Sequence, residues 1–184
     1  MCSTPFPSKY SEICSACIKK PPLFSKAVSF SLYEGVLATA INLYKFHGIK
    51  RLYKPLGKFL LEFDMTEIDA IVPVPLSING LRNRGFNQSL LLSKIISDNK
   101  KIPIIMDGLT KQKETPAQIG LSAKERVLNL RDAFVTKRNF FGLKIMLVDD
   151  VMTTGTTVRE CSKKLLKAGA ANVRVLTLAR ANSI

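Results

Sequence analysis

The sequence predicts a doubly wound, mainly parallel α/β sheet flanked by helices, with a short cysteine-containing segment in front. Two observations carry this reading. Short apolar runs such as Ile145–Val148 have the composition of strands buried on both faces. Between such runs lie stretches with apolar residues three and four apart, the spacing of one helical face. Where strands and helices alternate in this way, a ligand binds at the carboxyl ends of the strands. The length of 184 residues suits one domain with a small appendage, and 46% apolar residues are ample for its core.

Residues 1–24 are rich in Pro, Ser and Cys and close on Pro21-Pro22, a boundary by composition that leaves 25–184 as the main domain. Ala27–Tyr33 alternates as an edge strand does. Gly35–Phe46 places Val36, Leu37, Ala40, Ile41 and Tyr44 at helical spacing. A second amphipathic helix is expected over Lys50–Phe63, with Pro55 in its first turn. Ile68–Pro75 reads as a buried strand that must leave the sheet near Pro75, because proline cannot donate to the ladder. Ser77–Gly85 reads as a polar, basic loop holding Arg82 and Arg84. A helix follows Phe86-Asn87-Gln88, carrying Leu90, Leu91, Leu92, Ile95 and Ile96. Ile102–Met106 is a further strand, and Leu109–Leu121 lacks clean periodicity and reads as a loop suited to a lid. Ser122–Glu125 is a capping box for a short helix to Leu130. Ala133–Thr136, Leu143–Val148 and Val173–Ala179 complete the strands.

The chemistry concentrates in Lys144–Val158. After the apolar run come Asp149 and Asp150, then Val151 and Met152, then Thr153, Thr154, Gly155, Thr156 and Thr157. A helix over Val158–Ala168 follows, stopped by Gly169. Backbone N–H groups of such a loop converge with the helix N-terminus on one spot, where a phosphate can sit. The acidic pair would repel that phosphate and so must serve another purpose. It can accept hydrogen bonds from sugar hydroxyls and help to hold hydrated Mg²⁺. A phosphorylated sugar satisfies both halves. Arg82 and Arg84, after another strand, suit a pyrophosphate, since arginine binds phosphate oxygens bidentately.

Net charge of +14 implies attraction to polyanions, either nucleic acid or polyphosphate ligands. No row of aromatics marks a single-strand stacking platform. His47 is the only histidine, which excludes a His-based triad or metal centre. No run approaches a membrane span and no signal peptide is evident, so a cytoplasmic location is expected. Cys14 and Cys17 form a C-x-x-C knuckle with Cys2 upstream, three zinc-type ligands where a structural site wants four. Free thiols are the alternative. Cys161, in the last helix but outside this set, reads as a small buried apolar residue.

Asp149–Thr157 resembles the 5-phosphoribosyl-1-pyrophosphate (PRPP) loop of type I phosphoribosyltransferases. Further stretches resemble the ComF competence-protein family: Cys14-x-x-Cys17 with Pro21-Pro22, Tyr33-Glu34-Gly35, Lys45-Phe46-His47-Gly48, Val72-Pro73-Val74-Pro75-Leu76, Arg84-Gly85-Phe86-Asn87-Gln88, Thr115 with Gln118, and Arg126 with Asn129. The resemblance implies the type I phosphoribosyltransferase fold behind a zinc ribbon, here reduced because only Cys2 represents the ribbon's first C-x-x-C. It implies a PRPP site with Mg²⁺ built from Asp149 to Thr157, Pro75, Leu76, Arg82, Arg84 and Lys45, with Asp149 and Asp150 as the catalytic pair facing the ribose hydroxyls. It also implies a role in natural transformation, beside single-stranded DNA and a competence helicase. Nucleobase salvage by phosphoribosyl transfer, and a non-catalytic nucleic-acid-binding module, remain the other two readings.

Overall fold

The computed structural model describes residues 2–3, 13–113, 130 and 132–181. The chain runs α1 (Ser15–Lys19), β1 (Lys26–Leu32), α2 (Gly35–Phe46), α3 (Tyr53–Phe59), β2 (Ala70–Pro73), α4 (Ile78–Arg84) and α5 (Gln88–Lys100). Then follow β3 (Thr110–Lys111), β4 (Phe134–Val135), β5 (Lys144–Met152), α6 (Thr156–Lys167) and β6 (Asn172–Arg180). The main sheet has order β1-β6-β5-β2 with every pairing parallel. Its strands are apolar because both faces are covered. Ile145 and Leu147 point into a core shared with α6, whereas Met146 and Val148 point into a core shared with α2, α3 and α5. Each fully buried aliphatic side chain in these layers contributes roughly 1.5–3 kcal/mol of transfer free energy.

Most elements lie where the sequence predicts them, and the departures have local causes. Ser77–Gly85 is not a loop. Ser77 caps a helix by accepting the Gly80 amide at 3.2 Å, and Gly85, at φ +73°, ends it. Asn79 and Gly80, weak helix formers, mask that helix in the sequence. Lys50–Phe63 is not one continuous helix. Only Tyr53–Phe59 is α-helical, between 3₁₀ turns at Lys50–Leu52 and Leu60–Glu62, with Pro55 in the first turn as expected. Gly57 lets this helix approach α5: a Cβ there would lie 2.8 Å from Ile95 Cγ1. Ile102–Met106 contributes a single parallel bridge, Ile104 beside Ile71, rather than a full strand. β4 leaves the main sheet and pairs antiparallel with β3.

β5 runs further than its apolar run suggests, through the acidic pair to Met152, because β6 continues alongside it to Arg180. The expected lid over Leu109–Leu121 lies largely outside the described residues, as do the capping box Ser122–Glu125 and the Thr115, Gln118, Arg126 and Asn129 positions. Cys2 and Cys17 are buried in the core layer that also holds Phe24, Met152 and Val158. Among the described residues no helix is long and apolar enough to cross a membrane.

Candidate functional site

The carboxyl ends of β2 and β5 open into a cleft of about 640 Å³. The loop after β5 forms one side. Gly155 sits at φ +76°, and a Cβ there would come within 2.7 Å of Met152 Cε, so the turn needs glycine. Thr154 and Thr156 hydroxyls lie 2.9 Å apart, and α6 starts at Thr156 with its amides toward the cleft end of the sheet. This is the geometry that favours an anion at a helix N-terminus.

Asp149 and Asp150 stand between that loop and the opposite wall. Asp149 Oδ1 accepts the Ser89 hydroxyl at 3.0 Å and the Asp150 amide at 2.9 Å. Asp150, only 4% exposed, accepts Lys45 Nζ at 2.9 Å and the Val151 amide at 2.7 Å. Burial, and then the neighbouring Asp150 charge, push the Asp149 carboxyl up to about 7; Lys45, the Asp150 amide and Ser89 pull it the other way. A cation or a sugar hydroxyl donating to the pair would favour the ionised form. Asp149 and Asp150, two hard oxygen donors beside the threonine–glycine loop, could hold Mg²⁺, which binds through one or two carboxylates and keeps several waters.

Of the predicted site residues, Lys45, Pro75, Leu76, Arg84, Asp149, Asp150, Val151, Met152, Thr153, Gly155, Thr156 and Thr157 all line this cleft. Thr154 does not, and acts behind the lining through its contact with Thr156. Arg82 does not line it either. It is exposed, because two residues along a helix turn Arg82 away from the face that carries Arg84. The sequence reading missed Tyr33, Asn42, Asn83, Gln88 and Ser89, which also line the cleft. Two of them stood in family-like strings, Tyr33 opening Tyr-Glu-Gly and Gln88 ending Arg-Gly-Phe-Asn-Gln; the rest are ordinary helix positions until the chain folds.

The three N-terminal cysteines form a second cluster. The sulfurs of Cys2, Cys14 and Cys17 all lie within 4.8 Å of one another, with Cys2 and Cys14 at 3.3 Å. Burial, followed by hydrogen bonds with the other two thiols, pushes Cys17 up to about 12. Such thiols ionise only when a cation compensates them, and thiolate donors at this spacing fit zinc with a fourth ligand still to be supplied. Cys161 lies apart, fully buried, with its thiol pushed up chiefly by burial, as its apolar reading requires. Buried Arg180 donates to the Met152 carbonyl at 2.8 Å, bracing the strand end that leads into the threonine–glycine loop.

Parallel strands with crossover helices, a carboxylate pair closing the central strand and a threonine–glycine loop leading into a helix together define a protein of the type I phosphoribosyltransferase fold class. Known proteins narrow this. No family model matches the sequence. Competence protein F of Haemophilus influenzae is 36% identical over 183 residues, covering 94% of this chain and 80% of that protein. DNA utilization protein YhgH of Escherichia coli K12 is 34% identical, covering 95% and 81%. Competence protein ComFC of Bacillus subtilis is 29% identical, covering 95% and 75%. The chain belongs to the ComF competence-protein family. Similar solved structures include the glutamine PRPP amidotransferase of B. subtilis, with 27% identity and a TM-score of 0.48, of which this chain covers 25%. Orotate phosphoribosyltransferase of Aeropyrum pernix is 19% identical with a TM-score of 0.44, over 73% of this chain and 63% of that one.

Proposed function

We propose that this chain is a PRPP-binding competence protein that acts in DNA uptake, beside single-stranded DNA. One observation carries the ligand assignment: a buried carboxylate pair, held by Lys45 and Ser89, meets a glycine–threonine loop at a helix N-terminus. The 5′-phosphate would take the loop amides and threonine hydroxyls, while Asp149 and Asp150 would accept the ribose 2′- and 3′-hydroxyls. Arg84 would face the pyrophosphate from α4. Loss of pyrophosphate from C1 builds positive charge on the ribose ring, as in glycoside cleavage, and nearby carboxylates stabilise it without a protein nucleophile. Mg²⁺ bound with PRPP supplies charge neutralisation on the departing pyrophosphate.

The DNA half rests on the relatives, whose names speak of competence and DNA utilization, and on the net charge of +14. Each phosphate neutralised by a lysine or arginine adds to affinity and to its salt dependence. We also assign Cys2, Cys14 and Cys17 to zinc, and the chain to the cytoplasm. Zinc content measured on the purified protein and on Cys14→Ser tests the metal; a zinc-free wild type would remove it.

Calorimetric titration of PRPP with Mg²⁺ into the wild type and into Asp149→Asn/Asp150→Asn tests the central assignment. Heat in the wild type that the double variant loses supports it. No heat and no thermal stabilisation of the wild type would overturn it.

A further inference from the structure

The net charge of +14 is not spread evenly. Residues 35–61 carry Lys45, Lys50, Arg51, Lys54 and Lys58 and no aspartate or glutamate. Lys45 turns into the cleft and is taken by Asp150. The other four are exposed, and none of them lines the cleft. Among the described residues none of the four has a carboxylate at ion-pair distance. Glu62, the first acid beyond them, does not pair with Lys58.

The fold gathers these cations into a row. Lys50 and Arg51 lie in the 3₁₀ turn Lys50–Leu52, and Lys54 and Lys58 lie in α3. Lys50, Lys54 and Lys58 recur every four residues, the spacing that aligns side chains along one side of a helix. Arg51 stands three residues before Lys54. Leu56 and Gly57 face the other way and are buried, with Gly57 against Ile95 of α5, which fixes the basic side outward. At 1.5 Å of rise per residue the row is roughly 12 Å long. The Ile49 amide donates to the Leu43 carbonyl at 3.2 Å, so the row starts against the end of α2, where Lys45 and Phe46 line the cleft. Like charges at this spacing repel and weaken the helix, a cost that a polyanion laid along them reverses.

We propose that Lys50, Arg51, Lys54 and Lys58 form a track for the phosphates of single-stranded DNA. The track is separate from the cleft, so a strand and PRPP are held side by side rather than in competition. A row of cations matches an anion whose charges repeat along a chain. No large apolar side chain of α3 is exposed, so the row lacks the face with which an amphipathic helix enters a membrane. α3 is a convex surface only seven residues long, which a flexible strand can follow and a stiff duplex cannot. The track rests on the DNA half of the proposed function and gives it a place on the molecule.

Fluorescence anisotropy of a labelled oligothymidylate, read over a range of salt, tests this with two variants that lose equal charge. One is Lys50→Gln/Arg51→Gln/Lys54→Gln/Lys58→Gln. The control is Lys20→Gln/Lys100→Gln/Lys137→Gln/Lys167→Gln, four exposed lysines elsewhere. The track variant should bind about a hundred-fold more weakly at low salt, and its log–log salt slope should flatten by about 2–3, since each single-strand phosphate contact contributes about 0.7. The control should stay within about five-fold of the wild type. Saturating PRPP with Mg²⁺ should leave the wild-type strand affinity within about two-fold. Equal losses in both variants would mean that diffuse charge attracts the strand, and would overturn the track. Displacement of the strand by PRPP would overturn it too, by placing the strand in the cleft. A track variant that keeps its strand affinity but no longer binds phosphatidylglycerol vesicles would assign the row to a membrane surface instead. If thermal unfolding shows the quadruple variant misfolded, Lys54→Gln/Lys58→Gln decides the matter with about half the slope change. A wild type that binds no strand removes the track and the DNA half together, and calorimetric heat from PRPP in that protein would leave the PRPP assignment standing.

Discussion

The two sides of the cleft are built differently. The β5–α6 side is one continuous stretch, Asp149 to Thr157, whose turn and helix start follow from neighbouring residues, while β6 alongside carries the strand on to Met152. The opposite side is assembled from separate elements: Lys45 and Phe46 from α2, Pro75 and Leu76 after β2, Arg84 from α4, and Gln88 and Ser89 from α5. They meet across the Lys45–Asp150 and Ser89–Asp149 hydrogen bonds, which span 105 and 60 residues of sequence. The local side has the backbone features of anion binding. The assembled side holds the acidic pair through Lys45 and Ser89, whose contacts offset part of the rise that burial and Asp150 impose on Asp149.

The sharpest way to break the local side is at Gly155. A valine there faces a left-handed backbone and the Met152 side chain. Gly155→Val should destabilise the fold by about 2–3 kcal/mol and abolish measurable PRPP binding, read by thermal unfolding and calorimetry. Normal stability with normal binding would show that the turn does not need glycine.

The joint between the sides is the next target. Lys45→Met leaves Asp150 buried without its cation and should cost about 2–4 kcal/mol at pH 8, while Lys45→Met/Asp150→Asn should recover much of that loss. Strictly additive losses in the double variant would remove the pair as a structural joint.

Asp149 gives a pH signature. Its folded carboxyl is raised to about 7 from an ordinary value of 3.8, so ionising it opposes folding. Below about pH 4 the group is protonated in both states and costs nothing. Between about pH 4 and 7 the unfolded chain releases its proton first, and stability falls as pH rises. Asp149→Asn should therefore be more stable than the wild type at pH 8, by an amount on the order of 2 kcal/mol, with the difference gone near pH 4. Chemical denaturation at the two pH values reads it, and a pH-independent difference would contradict the raised carboxyl.

The smallest contrast separates two arginines of one helix. Arg84→Ala should weaken PRPP about ten-fold, because it removes a charged donor from the cleft wall. Arg82→Ala, exposed and off the lining, should leave the calorimetric affinity within about two-fold. Equal losses would mean that α4 presents another face in solution.

By itself the sequence determined the parallel α/β class, the Asp149–Thr157 stretch and the C-x-x-C knuckle, because each rests on periodicity or on neighbours a few residues apart. Tertiary structure alone decided that α4 is a helix with Arg84 inward and Arg82 outward, since Asn79 and Gly80 give weak helical signals and a capping Ser77 supplies the start. It alone brought Cys2 within 3.3 Å of Cys14, paired Lys45 with Asp150, and buried Gln88 at the cleft with its amide unspent. Those contacts depend on tertiary packing, and no local pattern encodes the distance between side chains that stand from 12 to 105 residues apart.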